Sequence, residues 1–289
     1  MSRKYDPKAI KALAIDLDGT MLMPKGVLGM RTRDCLRTLI SKGMQIIVST
    51  GRAVEASEKY ISEIGAQGPM VFLNGAEVAD MPSGKILHTN LINMDVVSFA
   101  ASLAHELGVH FHVFLPAGIS PDTGKKDPNQ KWGALLTEKY GEEVEYYYNH
   151  TSITPVIKDL QNISQMHFEG CIKGMYIADP SLHEEIRGRM KERFGNQINI
   201  MRSYPTFLEV IDAGVSKGEG LKVVMKHCAL QTHEVIAFGD EENDLPMFTV
   251  AGFAAAPQNA SKKIQDAVDL IYGPNTEEGL AEYLEKVFL

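Results

Sequence analysis

"LAIDLDGTML", residues 13–22, runs from an apolar segment, Leu13-Ala14-Ile15, straight into Asp16 and, one leucine later, Asp18. Gly19 and Thr20 follow. Two carboxylates at the end of a buried strand repel each other in a low-dielectric setting unless something offsets their charge. They either face water as a turn, or they share a cation or a proton. In an extended segment residues two apart point to the same side, so Asp16 and Asp18 can act on one ligand.

Outward from this stretch, further short apolar runs read as buried strands of a parallel sheet: Gln45–Ser49, Met70–Leu73, Val235–Phe238, Phe253–Ala256 and Leu270–Tyr272. Helical patterns lie between them, over Thr32–Lys42, Ala53–Ile64, Lys217–Cys228 and Ser261–Val268, with Gly43 and Gly65 as stops and Ser261 as an N-cap. Alternating strands and helices predict right-handed crossovers and a doubly wound, Rossmann-like α/β sheet. The middle of the chain reads as α+β: a helix over Asp95–Leu107, a strand in VHFHVFL, a Pro/Gly/Lys-rich loop over 116–131 and a charged helix over Ser181–Phe194. The expected organisation is a core of residues 1–88 and 202–289, interrupted by an inserted domain of residues 89–201.

The bulk composition narrows the function classes. The chain has 289 residues, enough for about two domains, and 44% hydrophobic content to bury a core. A net charge of −8 excludes the basic footprint of a nucleic-acid binder. Cys35, Cys171 and Cys228 are odd in number and widely spaced, which predicts reduced thiols. No run approaches the ~18 apolar residues of a membrane span, and the N-terminus lacks a signal-peptide pattern. A soluble, cytoplasmic protein is expected.

Ligands bind at the C-terminal ends of the strands in an open parallel sheet. Here those ends read Asp16-Leu17-Asp18-Gly19-Thr20, then Ser49-Thr50-Gly51-Arg52, then Asn74-Gly75-Ala76, and finally Gly239-Asp240-Glu241-Glu242-Asn243-Asp244. The acidic motifs offer oxygen donors only, which suits Mg²⁺ held together with a substrate phosphate. An aspartate beside Mg²⁺ can attack phosphorus, while a second one gives a proton to the leaving oxygen and later takes one from water. Thr50 offers a hydroxyl to a phosphoryl oxygen, and Gly51 permits close backbone approach. A lysine is needed to balance the charge.

Taken together, DLDGT, the strand-ending threonine before Gly-Arg, the Ser-Lys-Gly before a helix and GDEEND resemble the haloacid dehalogenase superfamily of aspartate-nucleophile phosphatases. Their order and spacing are similar to its Cof-like branch, in which a large α/β cap is inserted between the second and third motifs. The similarity spans nearly the whole chain. It implies Asp16 as nucleophile, Asp18 as general acid/base, Thr50 as the phosphoryl-binding hydroxyl and Lys217 as the required lysine. It implies Mg²⁺ held by Asp16, Asp240 and the backbone carbonyl of Asp18, with Asn243 and Asp244 supporting the metal shell. Gly51, Arg52, Asn74 and Gly75 are the expected substrate-binding residues. The implied reaction is hydrolysis of a small phosphorylated metabolite, such as a sugar phosphate, through an aspartyl-phosphate, under a cap that closes to exclude water.

Two stretches depart from the family pattern. AAAPQNA follows Phe253, and Glu241 and Glu242 stand where small residues are common; each can bear on metal or substrate binding. Within the middle region, His110, His112, Trp132 and Tyr146-Tyr147-Tyr148 read as packing residues, and Lys125 and Lys126 as part of a solvated loop. A phosphomutase-type phosphotransferase on the same core is the nearest rival function. A catalytically silent phosphate sensor would need no nucleophile-acid pair.

Overall fold

The computed structural model describes residues 5–289 except 128, 131–132, 139–140, 143–144, 146, 148–154 and 167. Trp132, Tyr146 and Tyr148 therefore lie outside the described residues. The chain divides into two compact units, one of residues up to Ala53, Ser57–His88 and Ser216–Leu289, the other of Val54–Ala56 and Thr89–Val215.

Along the first unit run β1 (Ala12–Ile15), α1 (Met30–Ser41), β2 (Gln45–Val48), α2 (Val54–Ile64), β3 (Gly68–Phe72), β4 (Glu77–Met81) and β5 (Lys85–Thr89). The second unit holds α3 (Met94–Leu107), β6 (His110–Phe114), β7 (Leu135–Thr137), β8 (Val156–Ile157), β9 (Lys173–Ile177), α4 (His183–Phe194), β10 (Ile198–Tyr204) and β11 (Phe207–Asp212). The chain then re-enters the first unit with α5 (Lys217–His227), β12 (Val235–Phe238), α6 (Leu245–Val250), β13 (Phe253–Pro257), α7 (Lys262–Gln265), β14 (Leu270–Tyr272) and α8 (Gly279–Phe288).

Five strands of the first unit form a parallel sheet in the order β14-β13-β12-β1-β2. β1 is central, pairing Ala12 with Val235 on one side and with Gln45 on the other. A single parallel bridge, Ser49 to Val71, carries the array on to β3, which starts an antiparallel β3-β4-β5 sheet. Every residue of β1 and β12 is buried, because helices cover both faces of a doubly wound sheet. The apolar runs read from the sequence fall on these strands, except that Met70–Leu73, read as a strand of the parallel sheet, falls on β3, whose full-length partner β4 is antiparallel. α7 is shorter than its sequence pattern, ending at Gln265, because the chain turns there to reach β14.

In the second unit a six-stranded sheet has the order β10-β11-β9-β6-β7-β8. Phe111 and Val113 face a core shared with α3 and α4, built on Val97, Ala101, Ile186 and Met190. His110, His112 and Phe114 alternate onto the opposite face, where the ring centroids of His112 and Tyr147 lie 4.8 Å apart. A buried Lys173–Glu209 ion pair (3.0 Å) lies on neighbouring strands. The return to the parallel sheet falls at Ser216, whereas the sequence places it at 202. β11 carries an apolar pattern that suits either sheet, and its partners here are β9 and β10. Among the described residues no helix is long and apolar enough to cross a membrane. Cys35, Cys171 and Cys228 are free thiols.

Candidate active site

Asp16 directly follows β1, and its N–H donates to the Phe238 carbonyl (3.0 Å), so the end of β12 fixes its backbone. Its side chain is buried. Lys217 begins α5, where Ser216 caps the helix by accepting from the Glu219 N–H. That helix start lies against the turn after β3: a Cβ on Gly75 would sit 2.0 Å from the Ser216 carbonyl oxygen, and Gly75 has φ +97°. Only glycine allows this approach, and the approach places the Lys217 ammonium at the end of β1.

Lys217 Nζ donates to Asp16 Oδ1 at 2.5 Å and to Asp244 Oδ1 at 2.7 Å. Lys217 and Asp244 are almost wholly buried, at 1% and 0% side-chain exposure. The other oxygen of Asp244 accepts from the N–H groups of Asp240 (2.9 Å) and Glu241 (3.0 Å). Asp244 is therefore an anchor, tying the lysine to the loop after β12. Asp240 is held by the Thr20 hydroxyl, which donates to its Oδ1 (2.7 Å). Its Oδ2 leans on Gly19, where a Cβ would come within 2.1 Å.

Asp16, Asp240 and Asp244 each present a carboxylate oxygen within 4.8 Å of the others. Burial raises the pKa of Asp16 well above the usual carboxylate range; Lys217 opposes that shift, and Asp244 and Asp240 add to it. Burial likewise raises Asp240 to about 7, with the Thr20 hydrogen bond opposing and Asp244 reinforcing the shift. At Lys217 burial disfavours the charge, but Asp16 and Asp244 outweigh it and raise the pKa. Three carboxylates thus face one ammonium. The excess negative charge and the all-oxygen donor set fit a hard divalent cation.

The substrate-facing residues cluster beside this group. Thr50 is buried, and its hydroxyl oxygen accepts from the Arg52 N–H (3.1 Å). The Asn74 N–H donates to the Thr50 carbonyl (3.0 Å), and a Cβ on Gly51 would lie 3.0 Å from Asn74 Oδ1. Asn243 donates its amide to Asn74 Oδ1 (2.9 Å), so its side chain serves the turn after β3 and not the carboxylate group. Asp18 also stands apart from Asp16. Its half-exposed carboxylate is gripped by Arg52 through two bonds, Nε to Oδ2 at 2.7 Å and a terminal nitrogen to Oδ1 at 2.6 Å. In this arrangement both Asp18 oxygens already hold donors.

The departing stretches resolve locally. Glu241 forms a reciprocal cap with Asp244, and Glu242 pairs with Lys263 (2.9 Å) at the surface. Gln258 donates its N–H to the Tyr272 carbonyl (2.9 Å), which ties the Pro257-Gln258 turn to β14. Thr20 was not among the sequence candidates, although it completes the DLDGT motif. Its contact partner Asp240 lies 220 residues away.

The haloacid dehalogenase-like hydrolase family model matches residues 13–284. A Haemophilus influenzae protein named, by inference only, as a phosphatase is 29% identical over 96% of this chain and 97% of its own. The Bacillus subtilis 5-amino-6-(5-phospho-D-ribitylamino)uracil phosphatase YcsE is 24% identical over 98% of this chain and 97% of its own. Among solved structures, TM0651 of Thermotoga maritima superposes with a TM-score of 0.80 at 25% identity, covering 96% of this chain and 97% of its own. A haloacid dehalogenase-like hydrolase from Bacteroides thetaiotaomicron superposes with a TM-score of 0.83 at 24% identity, covering 96% of this chain and all of its own. The chain belongs to the haloacid dehalogenase-like hydrolases and is an enzyme of that family.

Proposed function

We propose that the protein is a Mg²⁺-dependent phosphatase that hydrolyses a small phosphorylated metabolite through an aspartyl-phosphate. The observation that carries this reading is the buried Asp16 carboxylate at the end of β1, held by the Lys217 ammonium at 2.5 Å with Asp240 and Asp244 alongside. A carboxylate kept dry, oriented and next to a fixed positive charge is arranged for attack on an electrophile that carries negative charge.

Asp16 attacks phosphorus, and the bond from phosphorus to the ester oxygen breaks. Asp18, once released from Arg52, gives a proton to that leaving oxygen. It then takes a proton from the water that cleaves the acyl-phosphate, restoring Asp16 and releasing phosphate. The Thr50 hydroxyl and the turn at Asn74-Gly75 bind phosphoryl oxygens, and Arg52 binds the arriving substrate. Lys217 neutralises charge on Asp16 and on the transferring group. Asp16, Asp240 and the Asp18 carbonyl would hold Mg²⁺, which when bound would further neutralise the phosphoryl oxygens. Asp244 keeps the lysine and the Asp240 loop in register, and Asn243 holds Asn74. Residues 89–215 act as a cap domain that sets which phosphate ester is accepted.

The test is phosphate release from a panel of phosphomonoesters, in Mg²⁺ and in EDTA. Turnover in Mg²⁺ that EDTA abolishes, and that Asp16→Asn loses while keeping the parent circular dichroism spectrum, is expected. Absence of turnover at any pH would sink the enzyme reading, and a fully active Asp16→Asn would sink the mechanism.

A further inference from the structure

The backbone of Arg52 is fixed on both sides. Its N–H donates to the Thr50 hydroxyl oxygen (3.1 Å), and its carbonyl accepts from the Leu73 N–H (3.0 Å). The side chain runs over the Tyr60 ring, with the guanidinium carbon 5.4 Å from the ring centroid. Tyr60 is buried, and its hydroxyl donates to the Gly26 carbonyl (2.9 Å). The ring is a fixed platform that keeps the guanidinium beside the turn after β1, whichever oxygens it serves. At its tip the fork closes on Asp18 through the bonds of 2.7 and 2.6 Å. The Arg52 side chain is 16% exposed and that of Asp18 is 54% exposed. One partner is seated on protein and the other stands largely in solvent, so the pair can open without disturbing anything packed.

A carboxylate and a phosphoryl group present the same pair of oxygens to a guanidinium fork, and a dianion is the stronger partner. The hydroxyl of Thr50, read as the phosphoryl-binding group, takes the Arg52 N–H. An ester bound there brings its oxyanion to the side chain that Asp18 engages in this structure. Asp18 takes two of the guanidinium's five N–H donors. The others can meet an arriving oxyanion before the first two let go. While both of its oxygens are gripped, Asp18 has neither free to reach a leaving oxygen. The contact that withholds the acid is therefore one that the substrate itself can break.

We propose that Arg52 is a positioning residue for Asp18, released by exchange: the guanidinium holds the Asp18 carboxylate by both oxygens until the phosphoryl group of the ester takes its place in the fork, and that exchange frees Asp18 to turn to the leaving oxygen. Binding of the anion and delivery of the acid are then one step. The inference rests on the reading of this site as one that binds a phosphoryl group. It has a measurable consequence. Asp18 competes with phosphate for Arg52, so anion binding is weakened by the fraction of molecules in which the fork is closed on Asp18.

Calorimetric titration of inorganic phosphate into the full chain in Mg²⁺ tests it without reference to turnover. Asp18→Ala should bind phosphate about 3- to 10-fold more tightly than the parent, because the fork is then open. In an Arg52→Met background the same substitution should tighten binding by about 2-fold or less, the relief of charge repulsion alone. Repulsion without exchange gives the reverse order, since an Asp18 lacking Arg52 repels phosphate more than one already paired. A gain in Arg52→Met as large as in the parent, or larger, overturns the inference. Arg52→Lys keeps the charge but not the fork, and there too the gain should be smaller. A gain in Arg52→Lys equal to the parent's overturns the inference, whether or not Arg52→Met keeps the parent circular dichroism spectrum. The two levels separate in the same titrations. If the parent binds no phosphate, the phosphatase reading fails and takes the inference with it; if it binds phosphate and the gain does not depend on residue 52, only the inference fails.

Discussion

Lys217→Met keeps the length of the buried side chain and removes its charge. Lys217 is 1% exposed and touches Asp16 and Asp244, which are 7% and 0% exposed. Taking away one partner of a buried ion pair costs about 3–5 kcal/mol, because the remaining charge has neither water nor a counter-charge. Here a single ammonium serves two carboxylates, with a third, Asp240, close by. The upper part of that range, about 4–5 kcal/mol, therefore applies to the metal-free protein. At about 2–4 °C per kcal/mol for a unit of this size, the midpoint should fall by roughly 8–20 °C. Differential scanning calorimetry in EDTA measures it. Added Mg²⁺ should restore part of the loss, and more of it than the same Mg²⁺ adds to the parent, since a divalent cation at the carboxylates replaces the missing charge. A drop below about 1 kcal/mol in EDTA, the level of an exposed pair, would refute the reasoning: the carboxylates would not then depend on the ammonium.

Asp244→Asn and Asp240→Asn should separate anchor from ligand. The first forces an amide N–H₂ against either Lys217 or the two backbone N–H donors and should cost about 2–4 kcal/mol in denaturant titrations; the second removes a charge that burial already disfavours and should leave metal-free stability equal or higher. Gly75→Ala brings a methyl onto the Ser216 carbonyl at a left-handed φ, which should cost about 2–4 kcal/mol and displace Lys217, read as lost stability together with lost turnover. His112 is buried with neither ring nitrogen hydrogen-bonded among the described residues, and burial, then His110 and Lys173, hold its pKa well below the usual histidine value. Above pH ~6.5 both folded and unfolded states are neutral there; below it the unfolded chain gains a proton that the folded one refuses, so stability falls by up to ~1.4 kcal/mol per pH unit. His112→Phe should remove that component, seen as a smaller stability loss than the parent's between pH 7.5 and 5.

The core was legible because its central strands β1 and β12 are buried on both faces and so read as unbroken apolar runs, and because four of the strand ends carry polar motifs. Val235–Phe238 and Leu270–Tyr272 have the same limits in the sequence and in the structure. The pairing of Lys217 with Asp16 was expected from charge balance and from family resemblance. What the sequence withheld is set by partners. Phe207–Asp212 has a pattern that fits a parallel or an antiparallel sheet, and only its neighbours decide. The split between Asp16 and Asp18 follows from Arg52, whose guanidinium reaches across from the end of β2; residue spacing alone places the two aspartates together. Thr20 looks ordinary until the fold brings it to Asp240.

The residues of the site share one unit although the chain places them far apart. Asp16, Thr50, Asn74, Lys217, Asp240 and Asp244 all belong to the unit built on the parallel sheet, and residues 89–215 belong to the other. The central strand β1 has β12 as one of its two neighbours, more than two hundred residues later. Lys217 and Asp244 come from that same late segment, so the backbone pairing that completes the sheet also delivers the counter-charge to Asp16. In the folded protein the segment that completes the sheet beside β1 also carries the ammonium, so the buried Asp16 carboxylate has Lys217 at 2.5 Å. Burying a nucleophilic carboxylate this deeply is tolerable because the fold never buries it alone.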